Sequence, residues 1–212
     1  MRTTIILTAM ATLALGAGCT TYEVADYPSQ EELYDRQEPR FDPEHRSYPG
    51  FVLATPRGEA FVAQVSDKGI LGHDMRMWRR VNVGRYLDAD DRALRGHAFG
   101  QWLDLKVEGA RVHGVFNGTS PLDITARREG ETLHVRGVVR GYPADFRFDE
   151  GQLKGVLGRC GYDLSGVGGS AYEGLVHCPG IDQLVMIKVP VELTRWSDAE
   201  LGAALGMLLG GR

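Results

Sequence analysis

Residues 131–159 read ETLHVRGVVRGYPADFRFDEGQLKGVLGR, and the fold turns on how this stretch is read. Leu133, Val135, Gly137 and Val139 alternate with His134, Arg136 and Arg140. A period of two puts the first set on one face of a strand and the second set on the other. The alternation resumes after Tyr142-Pro143, with Phe146 and Phe148 on the apolar face and Arg147 opposite, and resumes again after Glu150-Gly151. Glycine or proline at each joint supplies the dihedrals of a tight turn, so these strands are predicted to be antiparallel neighbours.

The same rhythm extends in both directions. Upstream, QWLDLKVE, ARVHGVFN and LDITARRE are separated by Glu108-Gly109-Ala110 and joined onward through Glu129-Gly130. Residues from Leu103 to Arg159 therefore predict a meander of about six strands, which must curl into a barrel or pack a second layer over its apolar face. FVLAT, AFVAQV, YEGLVHC and LVMIKVPVEL raise the expected total to eight to ten strands. The fold class expected is mainly β, an antiparallel meander forming a barrel or two-layer sandwich with a short C-terminal helix. That helix is expected in RWSDAELGAALGMLLGGR, where Ser197 and Glu200 form a capping box and Leu201, Ala204, Leu205 and Leu208 recur at helical spacing. It reads as an amphipathic closing helix.

Three segments read as exceptions to the β pattern. Asp88 to Arg95 is expected to be a short helix or an exposed loop. GYDLSGVGGSAYEG, residues 161–174, is glycine-rich and reads as a flexible loop. Pro190 lacks a donor, which puts the last strand at a sheet edge or marks a bulge there.

The N-terminus carries a different signal. Arg2 is followed by an uncharged apolar run, Thr3 to Gly18, too short and too threonine-rich to span a bilayer. It ends in Leu15-Gly16-Ala17-Gly18-Cys19, which resembles the lipobox of bacterial lipoproteins, with Gly16 where that family most often has leucine. The resemblance implies removal of residues 1–18 as a signal peptide and acylation of Cys19 as the new N-terminus. Thr20 follows where an aspartate would suggest inner-membrane retention, so the implied location is the outer membrane, with palmitate-type chains as the anchor. Two or more chains hold a protein stably. Residues 19–50 are acidic and proline-rich and read as a flexible tether, although Tyr22, Tyr27, Tyr34, Phe41 and Tyr48 are more aromatic than a spacer requires and could instead hold the segment to the domain surface. The globular domain is expected at 51–212.

With Cys19 assigned to lipid, Cys160 and Cys178 remain as an even pair in an exported chain, where disulfides persist. They are expected to be bridged. No metal-ligand spacing surrounds them, and neither a metal nor a cofactor is expected. The formal net charge of −4 supplies no basic stripe, and nucleic acid is not an expected partner.

Chemistry is sparse. No Gly-x-Ser-x-Gly, Ser-x-x-Lys or phosphate-cradling loop occurs. His73-Asp74 and His97 are the isolated candidates for acid–base work. The polar face of the meander carries Arg111, His113, Thr125, Arg127, His134, Arg136, Arg140, Arg147 and Lys154 on successive strands, either as a solvated surface or as an anion-binding face centred on Arg111, His113, Arg127, His134, Arg136 and Arg147. Trp78, Phe99, Trp102, Phe116, Phe146 and Phe148 either line a ligand cavity in a barrel or fill a solid core. The sequence reads as a non-catalytic structural or binding component of the bacterial cell envelope, held at the membrane by lipid and engaging an envelope protein or polymer. A carrier of lipid or another apolar ligand is the alternative, and an envelope hydrolase the third.

Overall fold

The structure, a computed structural model, describes residues 41, 43–58, 60–74, 79–88 and 90–210. The signal peptide, Cys19, most of the tether and Trp78 lie outside the described residues. A short helix, α1 (Pro43–Ser47), precedes fourteen strands: β1 (Phe51–Ala54), β2 (Ala60–Ser66), β3 (Gly69–Asp74), β4 (Arg80–Asp88), β5 (Asp91–Ala98), β6 (Gln101–Glu108), β7 (Arg111–Phe116), β8 (Ser120–Glu129), β9 (Thr132–Val139), β10 (Tyr142–Asp149), β11 (Gln152–Leu157), β12 (Cys160–Gly168), β13 (Ala171–Cys178) and β14 (Ile181–Lys188). Helices α2 (Val191–Thr194) and α3 (Asp198–Gly210) follow. Each strand pairs antiparallel with the next, and β1 returns to β14 through Val52↔Lys188, closing a barrel.

Closure corrects several sequence expectations. The predicted six-strand meander is β6 to β11, but it continues in both directions to fourteen strands rather than eight to ten. Asp88 to Arg95 belongs to the β4–β5 hairpin, and the glycine-rich segment forms β12 and β13, paired from Gly161↔His177 to Gly168↔Ala171. No sheet edge exists for Pro190 to occupy. It lies beyond β14 as the residue that starts α2, where a missing N–H costs nothing. The β9–β10 turn is Arg140-Gly141 rather than Tyr142-Pro143, with both turn residues at positive φ (55° and 80°).

Glycines let the wall bend. Gly96, Gly114, Gly137, Gly155 and Gly174 lie inside β5, β7, β9, β11 and β13 with φ between 134° and 159°. A Cβ at any of them would stand 2.0–2.2 Å from a carbonyl oxygen of the preceding strand. Only glycine allows that approach, and a kink on every second strand is a device by which a sheet turns corners and closes.

The inner face is apolar and the outer face charged. Leu105, Leu122, Ile124, Leu133, Phe146 and Leu164 are fully buried, whereas Arg127, Arg136, Arg147 and Lys154 are exposed. A membrane-spanning barrel has the opposite arrangement, with an apolar band outside. The lumen is filled by α3. Its residues from Ala199 to Leu209 are all buried, so apart from Glu200 it is apolar all round rather than amphipathic. Gly202, Gly206 and Gly210 recur every fourth residue and lie against Ala126 and Val135, Val139, and Leu157 respectively. This smooth stripe lets the helix axis approach β8, β9 and β11. Phe116, Phe146, Phe148 and Phe99 pack in the same core, while Trp102 is 43% exposed on the outside.

Packing begins before the expected domain boundary at 51. Phe41 is buried with Val52, Ala54, Val62, Leu184 and Met186 on the outer wall, and Tyr48 packs beside them. Arg46 pairs with Glu173, and its carbonyl accepts a hydrogen bond from Lys188 Nζ at 2.6 Å. The last ten residues of the predicted tether are thus part of the folded body.

Candidate functional site

The predicted cationic face is the outer wall of β7 to β11, and the register decides which of its members face one another. Arg127 is opposite His134, His134 is opposite Arg147, and Arg147 is opposite Lys154. Four consecutive strands, about 4.8 Å apart, therefore carry four basic side chains in one lateral row. The sequence placed all four outward, Lys154 included, but could not supply this alignment.

Acids neutralise part of the face. Arg111 donates two hydrogen bonds to Asp123, at 2.7 and 2.6 Å, which hold the Asp123 carboxyl below the usual carboxylate range. Arg136 approaches Asp145 at 3.4 Å, Lys154 approaches Asp163 at 2.8 Å, and His113 lies 3.2 Å from Glu108. These two-sided exposed pairs contribute little to stability, but they cancel the local field of Arg111, His113 and Arg136. Arg127 and Arg147 make no hydrogen bond or ion pair among the described residues. Between them lies His134, 21% exposed, with Glu129 at 3.7 Å. Thr125, Arg127, Glu129, His134, Arg136 and Arg147 line a shallow groove of about 330 Å³ along this row. The groove presents a strip of guanidinium donors on a rigid sheet, which suits oxygen-bearing anions.

The hydrolase candidates are not assembled into a site. His73 is on β3 and His97 on β5, separated by β4. Among the described residues no group of three or more histidines, cysteines, aspartates or glutamates is placed to hold a metal ion.

The structure does assemble one buried charged cluster that the sequence did not reveal. Glu200, fully buried at the first turn of α3, accepts bonds from Arg85 Nε at 3.0 Å and Arg85 Nη2 at 2.7 Å, with Arg92 at 3.2 Å. It also closes the capping box, accepting from the Ser197 amide at 3.0 Å and the Ser197 hydroxyl at 2.6 Å. Burial pushes its pKa up, but the bonds from Arg85 and Ser197 outweigh that and hold it at about 2. The Arg85 guanidinium lies 4.9 Å over the Trp196 ring, whose Nε1 donates to the Ser66 carbonyl at 3.1 Å. Every oxygen of this carboxylate is occupied, so the cluster fixes the helix in the barrel rather than offering an acid or base. The capping box was legible in the sequence; its two arginines, more than a hundred residues away, were not.

Cys160 and Cys178 form a disulfide, with Cα atoms 4.3 Å apart, tying the start of β12 to the end of β13. The chain matches no protein-family model, no curated protein and no solved structure.

Proposed function

We propose that this chain is an exported lipoprotein, acylated at Cys19 and held at the outer membrane, whose barrel is a non-catalytic binding component that docks an anionic polymer of the cell envelope. The observation that carries the reading is the row Arg127, His134, Arg147 and Lys154 on β8 to β11, in which both arginines are left without an acidic partner. A lumen filled by α3 leaves the wall, rather than a central channel, as the surface on which an extended ligand binds. An extended polymer matches a row that crosses four strands, because repeated anionic groups can engage several cations at once.

The test is co-sedimentation of the purified mature protein with cell-wall sacculi at increasing salt, alongside a double variant, Arg127→Glu with Arg147→Glu. The wild-type protein is expected to pellet at low salt and to be released as screening shortens the reach of exposed charges. The double variant is expected to stay in the supernatant with an unchanged melting temperature. Co-sedimentation that survives both salt and charge reversal sinks the reading. Intact-mass measurement of protein extracted from membranes tests the anchor, since a start at Cys19 with added acyl mass is required.

A further inference from the structure

The two mouths of the barrel differ. One, where α3 enters, is tied to the helix by the Glu200 cluster and by Trp196. At the other, α3 stops at Leu209 and Gly210, and a recess of about 520 Å³ opens below it. Its apolar floor is formed by Leu53, Leu157, Tyr162, Val176, Val185 and Leu209. Tyr162 is held there by donating its hydroxyl to the Leu209 carbonyl at 3.1 Å, which satisfies one of the open carbonyls at the helix end.

The rim of this recess is polar and basic. Arg140 and Arg159 stand on adjacent turns, β9–β10 and β11–β12, with Tyr142 between them. Arg159 donates to the Tyr142 hydroxyl at 3.0 Å and stacks on its ring at 5.0 Å. The Arg140 guanidinium lies 4.8 Å over the Phe116 ring. Burial, and then the charge of Arg79, lower its pKa. Thr55 lines the recess as well. It is 6% exposed, and its Oγ1 is buried without a hydrogen-bond partner. A hydroxyl in that state is costly unless something in the recess engages it. A half-open, mainly apolar recess of several hundred Å³ with a few convergent polar groups has the character of a small-ligand site.

We infer that this mouth binds a single-chain amphiphile with an anionic head, its tail on the Leu53–Val185–Leu209 floor and its head oxygens held by Arg140, Arg159 and the Thr55 hydroxyl. A carboxylate and a phosphodiester share the required chemistry, since each presents two oxygens that accept forked bonds from guanidinium groups. The disulfide lies on the rim of the same recess and fixes the spacing of the β11–β12 and β13–β14 turns. This site is on the opposite side of the wall from the cationic row and does not depend on it.

The test uses the full mature chain carrying Cys19→Ala, delipidated by extraction, so that an attached anchor cannot act as the ligand. Fluorescent cis-parinaric acid is titrated in, then displaced with oleate, with lysophosphatidylglycerol or with uncharged monoolein. Saturable binding of one probe per chain is expected, with displacement by oleate or by lysophosphatidylglycerol; the tighter of the two names the head group. Monoolein is expected to compete about tenfold more weakly, as are the other two against Arg140→Gln or Arg159→Gln, which remove a charge-assisted bond. Val176→Trp is expected to fill the floor and abolish binding. Arg159 is exposed, so its variant keeps the test decisive if a buried substitution unfolds the chain. The inference is overturned by absence of saturable binding, by equal competition from monoolein, or by unchanged affinity in both arginine variants. It is also overturned if binding appears only after deletion of residues 211–212.

Discussion

Both mouths are rimmed by hairpin turns, yet α3 is tied down by buried ion pairs at one and ends beside a recess at the other. The turns β2–β3, β4–β5, β6–β7, β8–β9 and β10–β11, at the mouth where α3 enters, carry or adjoin an acid: Asp67, Asp90, Glu108, Glu131 and Glu150. Turns at the other mouth carry or adjoin Arg57, Arg79, Arg140 and Arg159. A helix entering at its N-terminus presents unpaired amide donors and a positive dipole end, which acids favour and satisfy. Glu200 performs that role from inside, and Asp198 pairs with Arg128 at 2.8 Å on the rim. At the far end the helix offers carbonyls, one of them taken by Tyr162, and the recess lies beside Leu209 and Gly210. The comparison teaches that the buried ion-pair network is concentrated at one end of this barrel, whereas the other end carries the recess and the disulfide.

Perturbing each end separately tests that contrast. The largest effect is expected from Glu200→Ala, which leaves Arg85 buried without its counter-ion and removes the cap of α3. Urea unfolding should report a loss of about 4 kcal/mol, against little change in probe binding at the recess if the variant remains folded. Replacing Cys160 and Cys178 together by serine acts at the other end. The closed loop spans 18 positions, for which chain entropy gives about 3 kcal/mol. This variant is expected to lose recess binding as well as stability, as a thermal melt and a titration on the same sample will show.

Acid should attack the ion-paired mouth first. The folded pKa of Glu200 lies below its unfolded value, so its contribution is fully present above about pH 4.5 and is lost as pH falls toward 2. The shift corresponds to about 3 kcal/mol in total. A series of urea melts from pH 5 to pH 2.5 is expected to show stability falling through that window in the native protein and a shallower fall in Glu200→Gln. The smallest effect belongs to the exposed rim pair: Arg128→Ala should cost under about 1 kcal/mol and less at high salt. A larger loss would mean that the rim, and not the buried cluster, holds α3 in place.

Legibility followed the range of the interactions. The six strands β6 to β11 were readable because each alternation and each turn lies within about twenty residues. The β12–β13 hairpin was misread because its glycines, taken one by one, resemble a loop. Gly166 within β12 and Gly174 within β13 leave no room for a Cβ beside a neighbouring carbonyl oxygen, at 2.3 and 2.1 Å, a requirement set by the adjacent strand rather than by the local sequence. Asp88 to Arg95 was misread for a related reason: its charges line an exposed hairpin and mask Leu94, which packs in the barrel core. The i, i+4, i+8 spacing of Gly202, Gly206 and Gly210 was a visible signal of a closely packed helix, and the leucine pattern beside it drew the reading toward an amphipathic one.

For the candidate site, the sequence placed Arg127, His134 and Arg147 on one face but had no means to choose among registers, and a shift of one residue would have scattered them. The mouth recess was out of reach altogether, since Thr55, Arg140, Arg159 and Val185 come from four different hairpins. By itself the sequence determined the strand type, the hairpin order, the buried face, the capping box and an even pair of cysteines, because each is written in neighbouring residues. The tertiary structure alone decided that the sheet closes at fourteen strands, that α3 enters the lumen, and that buried ion pairs tie it down at one mouth while a recess lies at the other. Those outcomes depend on long-range closure, on the space left between the kinked walls, and on ion pairs joining residues more than a hundred positions apart.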